Sequence, residues 1–231
     1  MRKLTLFAAF AAATAVTVPA HAGDTEGKWQ VKVMGTMVMP DGEIDKVKYV
    51  NPGLAATLAG MGVNEVDARA SNNAVPTLAV EYFATPNVSI ETICCITKRH
   101  VNGAADLVGT NLVNNVLIVP ATITAKYHIQ AGPFKPYVGV GPSMFLIMGE
   151  KPGSTAKALG VTKVNMSSEI GFALQAGFDV PLNDSGLGAS LDVKRYFMDT
   201  TAKFYANGTK VLATKHTLDP WLVSAGISYR F

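Results

Sequence analysis

The sequence predicts an all-β fold, an eight-stranded antiparallel transmembrane β-barrel. Three observations lead to this prediction. Apolar and polar residues alternate with a period of two along eight segments, as in strands that have one apolar and one polar face. The connections between these segments are alternately long and short, which is the arrangement of bacterial outer-membrane barrels. The chain also begins with a segment that is typical of exported proteins.

Residues 1–22 are predicted to be a secretory signal peptide that is cleaved after Ala22, and residues 23–231 a single barrel domain. A basic pair precedes the apolar run 4–18, and the tripeptide Ala20-His21-Ala22 supplies a small-x-small cleavage pattern. A membrane anchor is the alternative interpretation. It is disfavoured because this apolar run is short for a helix that must cross a bilayer.

The composition excludes several other classes of protein. Charged residues make up only 16% of the chain and hydrophobic residues 48%, so the chain is not expected to be disordered. Beyond the N-terminus, no apolar stretch reaches the ~18 residues that a membrane helix needs. Because the net charge is only +3 and no Lys/Arg cluster stands out, no binding to nucleic acid is expected.

The predicted strands are each long enough to cross a membrane as a β-strand, which takes about 9–11 residues. They cover residues 29–38, 75–84, 88–98, 115–129, 136–148, 166–181, 187–199 and 216–231. A soluble sandwich or a lipocalin-like barrel also alternates in this way. The long uninterrupted apolar faces, and a last strand that ends flush at Phe231, favour the membrane barrel.

Four long connections, at 39–74, 99–114, 149–165 and 200–215, are predicted to lie at one end of the barrel. The short turns lie at the other end, which is the periplasmic end in bacterial barrels. The first long connection contains the segment 51–61, for which a short amphipathic helix is predicted.

The two cysteines, Cys94 and Cys95, are adjacent in the chain. Neighbouring side chains of a strand point to opposite faces, and their Cα atoms are too close together for an ordinary disulfide. We therefore expect two small apolar residues. Lys98, Arg99 and His100 follow without a known ligand spacing, so neither a metal site nor a cofactor is expected.

Charged residues of the predicted strands lie on the face opposite the apolar stripe. Because a charge that faces lipid at mid-depth is costly, the charged face is assigned to the barrel interior. Most of these charges lie near the short turns, where opposite charges are expected to pair and form a structural plug. A catalytic role for the carboxylates is the alternative. The predicted plug comprises Lys32, Glu81, Glu91, Lys126, Asp192 and Arg230, together with His128, Asp179 and Lys194.

The outer half of the interior is predicted to be mostly apolar. A dry pocket for an apolar solute has such a lining, whereas a water-filled channel is polar. Simple filling by side chains, without a ligand, is the alternative, because an eight-stranded barrel is only just wide enough for side chains or one small ligand. The predicted lining comprises Met34, Val38, Val116, Ile118, Met144, Leu146 and Leu222, together with Thr36 and Pro120.

These segments resemble, in their order and spacing, those of the OmpW family of small outer-membrane proteins. The most specific match is the segment 135–141, with the sequence KPYVGVG. The other matching segments are 35–40, 82–91, 120–128, 175–179, 196–200, 218–221 and 228–231. Together they extend over nearly all of the chain that follows the predicted signal peptide.

The resemblance implies an eight-stranded outer-membrane barrel with a hydrophobic internal channel. Members of the family are thought to help small apolar molecules cross the outer membrane and leave sideways through the barrel wall, and some serve as receptors for bacterial toxins. The leading hypothesis is therefore passive entry of small hydrophobic molecules through an apolar lumen. The expected partners are these solutes and the lipids of the outer membrane.

Two other functions compete with this hypothesis. A closed structural or receptor barrel would act through its long loops, which are long enough to bind an extracellular ligand. An enzyme acting on lipid would use His100 or His216 with Ser167 or Ser168, but no Ser/His/acid motif is present, so no enzyme is expected. Basic residues near the outer rim are candidates for contact with anionic lipid head groups. They are Arg99, Lys151, Lys157, Lys163 and Lys203, for which ordinary solubility of the loops is the alternative.

Overall fold

The structure is a computed structural model that describes residues 26–63, 66–70, 72–95, 97–105, 111–132 and 134–231. The predicted signal peptide lies outside these residues. Fifteen strands and two helices are found in the described part of the chain. They are β1 Trp29–Met39, β2 Gly42–Val50, α1 Pro52–Gly60, β3 Val66–Ala70, β4 Asn73–Phe83, β5 Val88–Cys95, β6 Thr97–Ala105, β7 Asn111–His128, β8 Lys135–Met148, β9 Lys151–Pro152, α2 Ser154–Ala158, β10 Lys163–Met166, β11 Ile170–Pro181, β12 Leu187–Phe197, β13 Asp199–Ala206, β14 Thr209–Leu218 and β15 Trp221–Arg230.

Eight of these strands close into an antiparallel barrel. Their order around the barrel is β1, β4, β5, β7, β8, β11, β12 and β15, and β15 pairs with β1 to complete the ring. Closure leaves this ring without a free edge, so its backbone groups are paired between neighbouring strands, as a bilayer requires. The predicted eight-stranded antiparallel barrel is therefore confirmed.

Side chains alternate strictly between the interior and the outer surface. On β1, Lys32, Met34, Thr36 and Val38 are buried, while Val33 and its outward neighbours are exposed. Large apolar side chains exposed on the outer surface include Leu78, Ile90, Ile123, Val138, Val140, Leu174 and Ile227. Such a surface suits contact with lipid rather than with water. β-branched residues pack well on a pleated surface, which favours strands in these segments.

Aromatic side chains flank this apolar surface near the end of the barrel that carries the short turns. Trp29, Tyr127 and Tyr229 are exposed there, and the Trp29 ring lies 4.9 Å from that of Tyr82. Trp221 is exposed at the opposite end. Aromatic girdles at both borders of an apolar band are a feature of membrane barrels.

The long connections contain more regular structure than the sequence predicted. A second sheet, in the order β10-β13-β14-β2, stands beyond the barrel at the end that carries the long connections. β7 is 18 residues long and continues past the barrel to pair with β6. We call these added elements, β2, β3, β6, β9, β10, β13 and β14 with α1 and α2, the extension. The segments that the sequence predicted as long connections therefore include strands.

Two local predictions have different outcomes. A helix within the predicted segment 51–61 is confirmed as α1, where the Oδ1 atom of the N-cap residue Asn51 accepts a hydrogen bond of 2.9 Å from the N–H of Gly53. Its predicted amphipathic character is wrong, because apolar and small residues lie on all sides of the helix. The predicted last strand, 216–231, is wrong at its start. β15 begins at Trp221, after Pro220, and residues 209–218 form β14 in the extension.

No helix among the described residues is long and apolar enough to cross a membrane. Cys94 is a free cysteine that is exposed on the outward face of β5. The side chain of Cys95 lies outside the described part of the structure.

Gly177 allows a bulky aromatic side chain to enter the barrel. It lies opposite Tyr137 in the pairing of β11 with β8, and the side chain of Tyr137 is fully buried. A Cβ atom at position 177 would lie 2.6 Å from the Tyr137 Oη atom, and it would also meet the carbonyl oxygen of Leu191.

We expect Gly177→Ala to lower the free energy of unfolding by about 1–3 kcal/mol, the usual range for overpacking of a filled interior. Urea unfolding of the purified barrel in lipid vesicles measures this change. Gly35→Ala is the matched control, because Gly35 has open space around it, and we expect it to be near neutral. Equal stability of the two variants would contradict this account of Gly177.

Candidate functional site

The barrel lumen brings together most of the side chains that the sequence singled out. Seven buried charged residues meet near the short-turn end, and we call them the charged layer. They are Lys32, Glu81, Glu91, Lys126, Asp179, Asp192 and Lys194. They come from six different barrel strands, so only the closed barrel can place them in contact.

Each lysine of the charged layer contacts at least two carboxylates. Lys32 Nζ lies 3.0 Å from Asp179 Oδ1 and 3.1 Å from Glu81 Oε2. Lys126 Nζ lies 2.9 Å from Glu81 and 3.0 Å from Glu91. These ammonium groups therefore bridge strands that are distant in the sequence.

The third lysine completes the network on the opposite wall. Lys194 Nζ lies 2.9 Å from Glu91 Oε1 and 2.8 Å from Asp192 Oδ1. The Gln175 amide donates to the same two carboxylates, at 2.9 Å to Glu91 and 2.6 Å to Asp192. Desolvated charges are tolerated when they are paired and hydrogen-bonded in this way.

Aromatic groups seal the charged layer toward the short-turn end. Tyr137 donates a hydrogen bond of 2.8 Å to Asp192, and its ring centroid lies 3.6 Å from Lys126 Nζ. His128 Nε2 lies 2.9 Å from Glu81 Oε1, and its ring packs between Phe83 and Tyr137. The short-turn half of the lumen is thus filled by paired charges and rings.

Hydroxyl groups follow the charged layer along the strands. On β7, Thr124 and Thr122 lie between Lys126 and Pro120 on the inward face. Thr122 is paired with Ser143 at 2.7 Å between the two Oγ atoms, and Thr124 donates to the Gln175 Oε1 atom at 2.8 Å. This arrangement marks the transition from the charged part of the lumen to its outer half.

The outer half of the lumen is apolar. Buried apolar side chains from the barrel strands pack there into one cluster that continues into the extension. We call the barrel members the apolar layer, and they are Met34, Val38, Val75, Ala79, Ile93, Val116, Phe145, Ile147, Ala173, Tyr196 and Leu222. Ile118 is partly buried and packs against them.

Five of the seven residues predicted for the apolar lining lie in this region. Met34, Val38, Val116 and Leu222 are buried in the cluster, and Ile118 packs against it. The predicted inward orientation of Met144 and Leu146 is wrong. On β8 the odd positions face inward, so Phe145 and Ile147 occupy the lumen instead.

A usable signal for the face of β8 was present in the sequence. Val138 and Val140 are exposed outward, while Gly139 and Gly141 alternate with them on the inward side. Extending this period of two along the strand places Met144 and Leu146 outward. Small glycines and Pro142 weaken the apolar contrast, and the face was therefore assigned incorrectly.

Five of the six residues predicted for the plug are in the charged layer, and the sixth lies apart. Arg230 is at the short-turn mouth, where its Nε atom donates a hydrogen bond of 2.6 Å to the Gly27 carbonyl oxygen. Its guanidinium lies 3.6 Å from the Phe83 ring centroid. Tyr137 and Gln175, which sequence reasoning missed, are instead integral to the network.

The residues considered for lipid chemistry are not arranged as a nucleophile and base in the contacts described. Ser167 donates to Glu169 at 2.7 Å, while His216 Nε2 lies 2.8 Å from Thr214 Oγ1. The side chain of His100 lies outside the described residues. Within the described part of the chain, no group of three or more His, Cys, Asp or Glu side chains is placed to hold a metal ion.

Comparison with known proteins places the chain among outer-membrane barrels. It is 33% identical to an uncharacterised outer-membrane protein of Sinorhizobium fredii, over 97% of this chain and 92% of that one. It is 27% identical to outer membrane protein W of Escherichia coli over the full length of both.

Solved structures of the same fold are also similar. The outer membrane protein OprG of Pseudomonas aeruginosa matches with a TM-score of 0.74 at 22% identity, over 91% of this chain and 98% of that one. The outer membrane protein AlkL matches with a TM-score of 0.68 at 22% identity, over 93% and 95%. The OmpW family model matches residues 25–231. The chain therefore belongs to the OmpW family and is a protein of the bacterial outer membrane.

Proposed function

We propose that this barrel gives small hydrophobic molecules a passive route into the outer membrane through the outer half of its lumen. The observation that carries the proposal is the division of the lumen. Its outer half is apolar, and its short-turn half is filled by the charged layer. An apolar molecule gains by entering the first region, whereas the second offers no polar channel for water-soluble molecules.

A solute that enters from the outside meets the charged layer before it reaches the periplasmic end. Entry of an apolar group would separate Lys126 from Glu81 and Glu91, and breaking a buried pair in this way is costly. Exit through the wall of the barrel avoids this cost. The solute would then leave into the lipid that surrounds the barrel.

The wall beside β7 offers a place for such an exit. Pro120 lies within β7 beside the ladders that β7 forms with β5 and β6, and it has no N–H to donate to a neighbouring strand. The apolar layer reaches this point, since Ile93 belongs to it and Ile118 packs against it.

The first prediction tests the lining. We expect Leu222→Asn to reduce the rate of entry of a hydrophobic fluorophore about five- to tenfold, because a buried amide disfavours an apolar solute. Cells that lack the protein and are complemented with each variant provide the measurement. Met144→Asn is the matched control, since Met144 faces outward on β8, and it should retain the wild-type rate.

The comparison decides between the lumen and other routes. If both variants admitted the fluorophore at the wild-type rate, with the barrel folded in the membrane, the lumen route would be rejected. The folded state is followed by the shift in gel mobility between heated and unheated samples.

The second prediction tests the charged layer as a structural plug. We expect Lys126→Met to lower the free energy of unfolding by about 3–5 kcal/mol, because it removes the cation that Glu81 and Glu91 share and leaves uncompensated negative charge in the buried layer. The double variant Lys126→Met/Glu91→Gln should be more stable than Lys126→Met alone. Urea unfolding measures both, with Lys203→Met as the exposed control. An unchanged stability of Lys126→Met would contradict a structural role.

A second candidate function, recognition of an extracellular ligand by the long connections, is favoured by one face of the extension. Lys163, Tyr205 and Lys210 are neighbours across β10, β13 and β14, and the exposed Lys203 shares their face. Lys210 Nζ lies 4.8 Å from the ring centroid of Tyr49. Within the described residues, no carboxylate forms an ion pair with these three lysines. Such a face suits an anionic group.

The third prediction tests this surface. We expect Lys163→Gln/Lys203→Gln/Lys210→Gln to weaken binding of a sulfated oligosaccharide at least tenfold and to leave entry of the fluorophore unchanged. Binding is measured on the purified barrel at two salt concentrations, because a charge-driven contact weakens as salt rises. Lys215→Gln is the control. Hydrogen bonds to Asp199 and Asp45 raise the pKa of Lys215, so its charge is already paired with carboxylates of the extension. Equal binding by the triple variant and the wild type would reject this candidate.

A further inference from the structure

One hydroxyl group in the lumen differs from the others. Thr77 is buried on the inward face of β4, and its Oγ1 atom has no hydrogen-bond partner among the residues that the structure describes. The other hydroxyls at similar positions are paired. Thr36 is 2.8 Å from Ser224, and Thr122 is 2.7 Å from Ser143, between their Oγ atoms. A buried hydroxyl without a partner is unfavourable and calls for a functional explanation.

The neighbours of Thr77 whose side chains the structure describes on β1, β4 and β5 are apolar, while the side chain of Cys95, opposite Thr77 on β5, lies outside that description. It lies directly opposite Met34 in the pairing of β4 with β1. Val75 and Ala79 flank it on the same face of β4, and Ile93 lies opposite Ala79 on β5. All four neighbours belong to the apolar layer. A molecule in contact with these side chains is therefore within reach of one unused donor and acceptor.

We propose that Thr77 binds the polar end of the solute, and that the natural solutes are amphiphiles with an apolar chain and one neutral polar group. This inference rests on the proposed function and specifies its substrate class. A hydroxyl both donates and accepts, so it suits an alcohol, an aldehyde, a ketone or an ester. The apolar side chains around it receive the hydrocarbon part of the molecule.

The position of Thr77 also explains why the polar group is a neutral one. It is separated along β4 from the charged layer by Ala79, which precedes Glu81 on the same face. A charged group would lose its hydrating water at this depth, and the neutral Thr77 could not supply an opposite charge in compensation. A single neutral polar group loses little free energy on entry, because one hydrogen bond to Thr77 replaces its hydrogen bond to water.

The experiment compares two solutes that differ by one hydroxyl group. Initial rates of entry of 1-dodecanol and n-dodecane are measured in cells that lack the protein and are complemented with each variant. We expect Thr77→Val, which has nearly the same shape, to reduce barrel-dependent entry of 1-dodecanol about two- to tenfold. This range corresponds to one net hydrogen bond. Entry of n-dodecane should remain unchanged.

Two further variants separate binding from structure. Thr36→Val/Ser224→Ala removes two hydroxyls that already satisfy each other and leaves neither one unpaired, so it should not discriminate between the two solutes. Thr77→Ser keeps the hydroxyl and should keep the wild-type ratio of the two rates. The urea midpoint of Thr77→Val should equal or exceed that of the wild type, because the variant removes an unsatisfied buried group.

The outcomes distinguish this inference from the proposed function. If n-dodecane entered no faster with the wild-type barrel than without it, the proposed route for hydrophobic molecules would fail. If n-dodecane entry depended on the barrel but Thr77→Val left the ratio of the two rates unchanged, the route would stand and the role of Thr77 would be rejected. A loss of entry that was equal for both solutes would also reject it.

Discussion

The pairing of buried charges inside the barrel is the constraint on which the rest of the structure depends. In a barrel this narrow, a strand can carry charged side chains on its inward face only if those charges find partners across the lumen, because an unpaired buried charge is costly. Lys126 does so by lying between Glu81 and Glu91, and Lys32 and Lys194 extend the same network to both sides. This network occupies the short-turn half of the lumen, and apolar side chains that pack into one cluster line the outer half.

The sequence predicts the strands and the character of the two halves of the lumen because both depend on a local rule. A period of two assigns each residue to one face, and a charge cannot face lipid without a large penalty. The rule succeeds on β1, where Lys32 and Met34 alternate with apolar outward residues. On β8 the same rule predicts the wrong face, because Gly139, Gly141 and Pro142 reduce the contrast between the two faces.

The partners of each charge could not be predicted, since they depend on register between strands that are distant in the chain. Lys32 and Asp179 are separated by 147 positions, and no local pattern connects them. The same holds for Tyr137 and Gln175, which look like ordinary strand residues until the barrel places them on Asp192. That Thr77 has no hydrogen-bond partner among the described residues is likewise a property of its neighbours rather than of its own sequence context.

Closure of the barrel by β1 and β15 has a consequence for cooperativity. Gln30 pairs with Arg230, so the first barrel strand is completed only by the last one. The charged layer draws on six strands, and its ion pairs form only when those strands come together. The same event therefore completes the backbone ladder and the pairing of the buried charges, and contacts between residues so far apart in the chain are expected to make folding slow.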